Sequence, residues 1–264
     1  MSYRAIGLTA LTTLVLAVGL IPANSFIWPS TQVLAQAQNS QEVEADKFFK
    51  QGVEYLNNQK VPEARQSFEK ALALYQAAKK PQSESAMLLL LGITYNKETN
   101  YDAAINYYQR ALKIVQQLPK RENEYAIVRL LGDTYQQSKN YPQAIAYYQQ
   151  ALVLARKNKD TKNEKELLGN LGIGHILVKN YAAAIEVSQQ GLALVKNLQD
   201  KPGAMFFLEK LGEAHYHLKQ YDKSLEYVQQ SLNIAREIND KETESRLTNI
   251  LGILSYERNQ NQKR

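Results

Sequence analysis

Glycine returns every 40 residues, at Gly52, Gly92, Gly132, Gly172, Gly212 and Gly252. A period held over so many intervals means stacked copies of one supersecondary unit, each burying its apolar face on its neighbours. The surroundings of the glycine recur as well. Leucine precedes it at Leu91, Leu131, Leu171, Leu211 and Leu251, and tyrosine follows at Tyr101, Tyr141, Tyr181 and Tyr221. Small residues recur at Ala64, Ala104, Ala144, Ala184 and Ser224, and again at Ala71, Ala111, Ala151, Gly191 and Ser231. The chain of 264 residues therefore reads as one elongated repeat domain, because each unit need only pack on the next.

Within a unit, Leu88, Leu91 and Tyr95 fall at three- and four-residue steps, the apolar stripe of an amphipathic helix. Asn100 interrupts the stripe, and a second one runs through Ala104, Ile105, Tyr108, Ala111, Leu112 and Val115. Each unit is thus two helices joined by a short turn. Pro62 and Pro142 stand just after the turn, where a first-turn proline forfeits no helical hydrogen bond. Asp160, Asp200 and Asp240 stand in the link to the next unit and are placed to accept from free first-turn amides. A glycine inside a helix costs about 1 kcal/mol relative to alanine. Close approach of the paired helices offsets that cost, with Ala104 as the expected small facing residue.

The pattern Leu91-Gly92-x-x-Tyr95 followed by Tyr101-Asp102-x-Ala104-Ile105-x-x-Tyr108-x-x-Ala111-Leu112 resembles the tetratricopeptide repeat. The resemblance spans residues 44–257. It implies an all-α fold, a right-handed α-solenoid of five helix-turn-helix repeats beginning near Glu44, Ser83, Asn123, Asn163 and Gly203. A C-terminal capping helix over Thr243 to Glu257 closes it. The period exceeds the family's usual 34, and six more residues at about 1.5 Å each lengthen the pair by roughly 9 Å. That is similar to the long-helix subclass of kinesin light chains and spindle-orientation scaffolds. The first unit departs most, with Gln51, Val61 and Arg65 at conforming positions of the others, as terminal repeats do when one side meets water.

Residues 1–35 differ in kind. Arg4 is their only charge, Ala5 to Ile21 is largely apolar, and Val33-Leu34-Ala35 is a small-residue cleavage pattern. This reads as a secretory signal peptide, with an uncleaved N-terminal anchor as the alternative. Either way the rest of the chain is expected outside the cytoplasm, periplasmic or secreted. Residues 36–43 read as a linker and residues 258–264 as a polar tail. The chain has no cysteine, so the solenoid core must hold without disulfides. Its formal charge of +6 is mildly basic, and outside the helix junctions no basic run suggests nucleic acid. Membrane contact is expected only through the N-terminal segment.

No zinc spacing, phosphate loop or nucleophile elbow occurs, so no catalytic residue, metal or cofactor is expected. His175 and His215 take the slot that Tyr55, Tyr95 and Tyr135 hold in other units, which makes them packing residues. His215 and His217 are two apart and point in different directions on a helix. Of the 17 tyrosines, 12 sit in repeat columns. Tyr216 and Tyr256 fall outside them, four residues after a ladder glycine. Basic residues such as Lys79-Lys80 and Arg156-Lys157 gather at second-helix ends with acids following, as helix dipoles favour.

The resemblance further implies that first helices line a concave groove and that residues beside the packing stripe meet a peptide. Three residues before the glycines these are Phe49, Leu89, Arg129 and Glu209, with Gly169 and Asn249 in the same column. One residue after come Val53, Ile93, Asp133, Ile173, Glu213 and Ile253, and four after come Leu56, Asn96, Gln136, Ile176, Tyr216 and Tyr256. The family's carboxylate clamp and the asparagine ladder of its long-helix scaffolds are both absent here. The apolar members are equally suited to packing on neighbouring helices. The expected function is a non-enzymatic interaction scaffold, an exported adaptor seating a peptide or amphipathic helix of an unidentified envelope protein. The alternative is a self-assembling structural module of the cell envelope.

Overall fold

The computed structural model describes residues 30–263, so the N-terminal apolar run read as a signal peptide or anchor lies outside the described residues. Unit 1 pairs α1 (Ser30–Asn57) with α2 (Val61–Ala77) and unit 2 pairs α3 (Pro81–Lys97) with α4 (Tyr101–Val115). Unit 3 is α5 (Glu124–Gln137) and α6 (Tyr141–Lys157), and unit 4 is α7 (Thr161–Leu177) and α8 (Tyr181–Asn197). Unit 5 is α9 (Lys201–His217) and α10 (Tyr221–Glu237), and α11 (Lys241–Gln262) stands alone at the end. Every helix packs on the one before and the one after it, and α7 also touches α9. The architecture is the all-α solenoid of paired helices with a final helix that the period implies.

Seven of the helices are 17 residues long, separated by three-residue turns, so the structure repeats every 20 residues at the level of single helices. The starts follow the expected chemistry. Asp160, Asp200 and Asp240 accept from the amides of Asn163, Gly203 and Thr243 at 3.1, 2.9 and 3.0 Å. Asn100, Asn140 and Asn180 do the same at the turn inside the unit, accepting from Ala103, Gln143 and Ala183. Those amide hydrogen bonds hold the Asp160 and Asp240 carboxyls below the usual range, and the Lys165 ammonium does so first for Asp200.

The stops have no counterpart in the sequence reading. Helices end on a residue in the left-handed region at 20-residue steps, including Gln59, Lys79, Thr99, Lys139, Lys179 and Lys219, with φ between 54° and 63°. Each closes a Schellman motif, as where the amide of Lys60 reaches the carbonyl of Tyr55 at 2.9 Å and that of Gln59 reaches Leu56 at 3.1 Å. None is glycine. One junction breaks the cadence, between α4 and α5, where the in-phase position is Pro119. A proline ring locks φ near −65° and cannot turn left-handed, so α4 stops at Val115, α5 waits until Glu124, and Asn123 takes the positive φ of 66° instead.

One buried cluster runs from Ala45 to Leu211, and a smaller one joins Val228, Leu232, Ala235, Leu247 and Leu254 beneath the final helix. The ladder glycines from Gly52 to Gly212 are buried, and the residue facing them is larger than expected in the first three units. Ala104 is fully buried, but the group against Gly92 is the ring of Tyr108, 2.4 Å from where a Cβ would stand. Phe68 covers Gly52 and Tyr148 covers Gly132 in the same way, while Ser188 and Val228 take that column over Gly172 and Gly212. Gly252 on α11 has nothing over it, because no second helix follows.

The linker and the polar tail both continue helices. Residues 36–43 lie within α1, a 28-residue helix whose first 22 residues contain no glycine or proline. The polar tail prolongs α11 to Gln262, since Arg, Gln and Asn without glycine or proline do not interrupt a helix already nucleated by its packed part. Column changes on the outer side of α11 make it a solvated end: Thr248 stands where Leu208 does in unit 5, and Ser255 where His215 does.

Candidate partner-binding groove

The first-helix residues named from the sequence separate into three groups. The first is spent on the seam between units. Arg129, three residues before Gly132, lies 3.6 Å from Glu166 of the next unit, and Glu209 accepts a two-pronged bond from Arg246 at 2.8 and 2.9 Å. Arg246 stands six residues before its glycine, as Glu166 does, so the two seams carry the same pairing with the signs exchanged. Between units 4 and 5 the same register puts the Phe206 ring 3.2 Å from where a Cβ on Gly169 would be. By register Ala86 and Ala126 are the counterparts of Phe49 and Leu89, and Phe49, Ala86 and Leu89 are half-buried on the core. At three seams this register sets large against small or acid against base.

The second group is spent inside its own unit or on the next. The Tyr148 hydroxyl donates to Asp133 Oδ1 at 2.9 Å, with Gln136 Oε1 2.8 Å away. Burial raises the Asp133 carboxyl above its ordinary range, countered by that hydroxyl and by Arg129. Burial and the Asp133 charge push the Tyr148 hydroxyl far above the usual phenol range. Asn96 accepts from Thr134 Oγ1 of the following unit at 3.3 Å. Val53 and Ile93 are half-buried against the core, as the packing alternative anticipates. Ile173 and Ile176 are partly exposed.

The third group converges at the C-terminal end. Glu209, Glu213 and Tyr216 line a cleft of about 370 Å³ between α9 and α11, with Val228 at its back and Ile253 on its rim. Lys210 pairs with Glu213 at 2.8 Å, so the cleft carries two acids balanced by two bases. Ile253 is 59% exposed and Tyr216 36%. Arg129 and Ile173 line a second cleft of about 400 Å³ with Glu166 and Phe206. Tyr256 is separate from both and faces Lys219, Tyr221 and Glu257 across a polar cleft of about 300 Å³. Arg246, Phe206, Lys210 and Val228 were not named from the sequence. For Arg246 and Phe206 the available signal was the column six residues before the glycine, which is opposite in charge to the column three before it at Arg129 with Glu166 and at Glu209 with Arg246.

The histidines behave as packing residues. His215 is buried and stacks on Tyr227, repeating the stacks of Tyr95 on Tyr107 and Tyr135 on Tyr147. His217 points the other way and stacks on Tyr181 at 4.7 Å. Among the described residues no cluster of His, Asp and Glu is arranged to hold a metal ion. No described helix is long and apolar enough to cross a membrane.

Models of the tetratricopeptide repeat match residues 50–117, 124–197 and 207–238. The gap between the first two matches falls on the junction that Pro119 opens. No curated protein sequence matches the chain. Among solved structures, the apo form of RapI is similar over 80% of this chain and 77% of its own, with a TM-score of 0.63 at 16% identity. The kinesin light chain-like repeats of Podosopora anserina align over 74% of this chain and 96% of theirs, with a TM-score of 0.60 at 16% identity. A signal-transduction ATPase with a tetratricopeptide repeat sensor from Pyrococcus horikoshii covers 85% of this chain, which spans 35% of it, with a TM-score of 0.63 at 17% identity. At these identities the likeness is one of fold.

Proposed function

The chain belongs to the tetratricopeptide-repeat family, and from that premise we propose that it is an exported adaptor that holds a peptide or amphipathic helix of a partner in its first-helix groove. The fold is a non-enzymatic scaffold capable of protein interaction, and the C-terminal cleft carries the rest of the reading. There Tyr216 and Ile253 remain exposed over an apolar floor, and the charges of Glu209 and Glu213 are already balanced by Arg246 and Lys210. A site that asks a ligand to neutralise nothing favours apolar anchors with a few hydrogen bonds. The N-terminal third of the groove offers less, because Phe49, Leu89, Val53 and Ile93 are engaged in packing. Export rests on the apolar N-terminal segment and the cleavage pattern before Gln36.

Two measurements test this. Full-length protein and the Tyr216→Ala/Ile253→Asp variant serve as baits in envelope extract; both residues are exposed, so the variant keeps its helicity. A partner held by the wild type and lost by the variant supports the groove, and equal capture by both overturns it. For location, the N-terminus of protein from fractionated cells is read by mass spectrometry. Chain beginning at Gln36, or intact chain in the membrane fraction, supports export, and intact chain in the cytosol overturns it.

A further inference from the structure

Units 2 and 3 fill the space over the ladder glycine with a tyrosine of their own second helix, Tyr108 over Gly92 and Tyr148 over Gly132, both buried. The Tyr148 side chain continues past the glycine and ends in the hydrogen bond to Asp133, one residue after it. Unit 5 keeps two of these three parts. Gly212 is in place, and Glu213 supplies a carboxylate one residue on, but the tyrosine column holds Val228. A Val228 methyl reaches the glycine, 2.8 Å from where a Cβ would be, and the side chain ends there. Beyond it opens the 370 Å³ cleft, lined by Gly212, Glu213, Tyr216 and Val228 and closed on the far side by Leu247 and Leu254 of α11. Its volume lies at the small end of the range for ligand sites, about 300–1,000 Å³.

The chemistry narrows the occupant. Glu209 is held by Arg246 and Glu213 by Lys210, so no net charge selects an anion or a cation. Glu213 nevertheless keeps acceptor positions, since a carboxylate offers about four and Lys210 uses one. A neutral ring with a donor at its far end satisfies both the apolar walls and that acceptor, as Tyr148 does beside Asp133.

We propose that this cleft is an anchoring site for a tyrosine side chain of a partner peptide, its ring over Val228 and its hydroxyl donating to Glu213. The partner completes between molecules what unit 3 completes within itself. The inference rests on the groove reading above and adds to it the identity of the anchor.

The test uses p-cresol, the tyrosine side chain as a free molecule, titrated into the isotope-labelled full chain and followed by amide shifts. Saturable shifts centred on residues 212–216 and 250–254 are expected, and toluene, which lacks the hydroxyl, should bind about tenfold more weakly. Val228→Tyr supplies the ring from the chain itself and should abolish the response. Should that variant fold poorly, Ile253→Trp at the exposed rim blocks entry from outside and should do the same. Shifts that do not saturate, that persist in a folded blocking variant, or that toluene reproduces with equal affinity overturn the proposal. The partner-capture experiment is independent: a partner lost on Tyr216→Ala/Ile253→Asp while p-cresol fails to bind leaves the groove standing and removes only the tyrosine anchor.

Discussion

The ring of Phe207 lies 2.2 Å from where a Cβ on Gly191 would stand, so these two positions cannot both be large. The other units pair the same columns as Ala71 with Met87, Ala111 with Ile127, Ala151 with Leu167 and Ser231 with Leu247. The one phenylalanine meets the one glycine. Gly191→Ala should therefore cost about 1–3 kcal/mol by overpacking, reduced by up to about 1 kcal/mol of helix propensity. Phe207→Leu alone should cost about 1 kcal/mol for the space it opens. The double variant recreates the Ala151–Leu167 pair and should lie within about 0.5 kcal/mol of the wild type in urea unfolding. Additive losses would show that the two residues are not coupled.

Pro119 occupies the one turn position that it cannot adopt. Pro119→Gly restores a residue able to take positive φ, and α4 and α5 should regain the residues by which they fall short of 17 each. The expected outcome is a small rise in helical circular dichroism with new amide-exchange protection over residues 116–123. Unchanged exchange there would mean that side chains such as Tyr125 and Leu154, not the proline, hold the junction open.

Glu209 of unit 5 and Arg246 of α11 form the same pair as Arg129 and Glu166, with the signs exchanged. Arg246→Glu should lower stability by about 1–2 kcal/mol, because a two-pronged pair becomes two facing acids. Adding Glu209→Arg recreates the polarity of Arg129 and Glu166 and should recover most of the loss in a chemical unfolding cycle. A double variant no better than the single one would show that the two seams are not interchangeable in sign.

His175 is 8% exposed, and its Nδ1 has no hydrogen-bond partner. Burial lowers its pKa, against the opposing charge of Glu186. With the folded value below the unfolded one near 6.5, the unfolded chain binds more protons between the two, so stability falls as pH drops through that window. The melting temperature of the wild type should decline on going from pH 7.5 to 5. His175→Gln, which stays neutral, should flatten that slope; an equal slope in both would exclude His175 as its source.

The helix starts were legible because their chemistry is local. Asp160, Asp200 and Asp240 cap within three residues, and Pro62 and Pro142 announce a first turn. The stops were not, because eight of the ten left-handed positions are filled by lysine, glutamine and threonine, which carry no turn signal when read singly. Among the groove residues, Tyr216 stood out by leaving the tyrosine columns, and it lines the open cleft. Tyr256 stood out for the same reason, yet it belongs to a different surface, since α11 lacks a second helix to continue the groove. Asp133 and Gln136 looked like groove residues until the Tyr148 hydroxyl claimed them, a contact across 12 and 15 residues set by how the two helices face each other.

The 40-residue period, with the two apolar stripes inside it, determined the helix pairs, their stacking and the place of the glycine ladder, because each stripe can be buried only against its neighbours. What only the tertiary structure decided is which positions beside that stripe remain free. Each can be taken by the unit's own second helix, as Asp133 is, or by the next first helix, as Arg129 and Glu209 are. The choice depends on the offset between neighbouring units and on side-chain length, and neither is written in the period. At Val228 over Gly212 the column falls short, and the same packing that closes the fold elsewhere leaves a cleft.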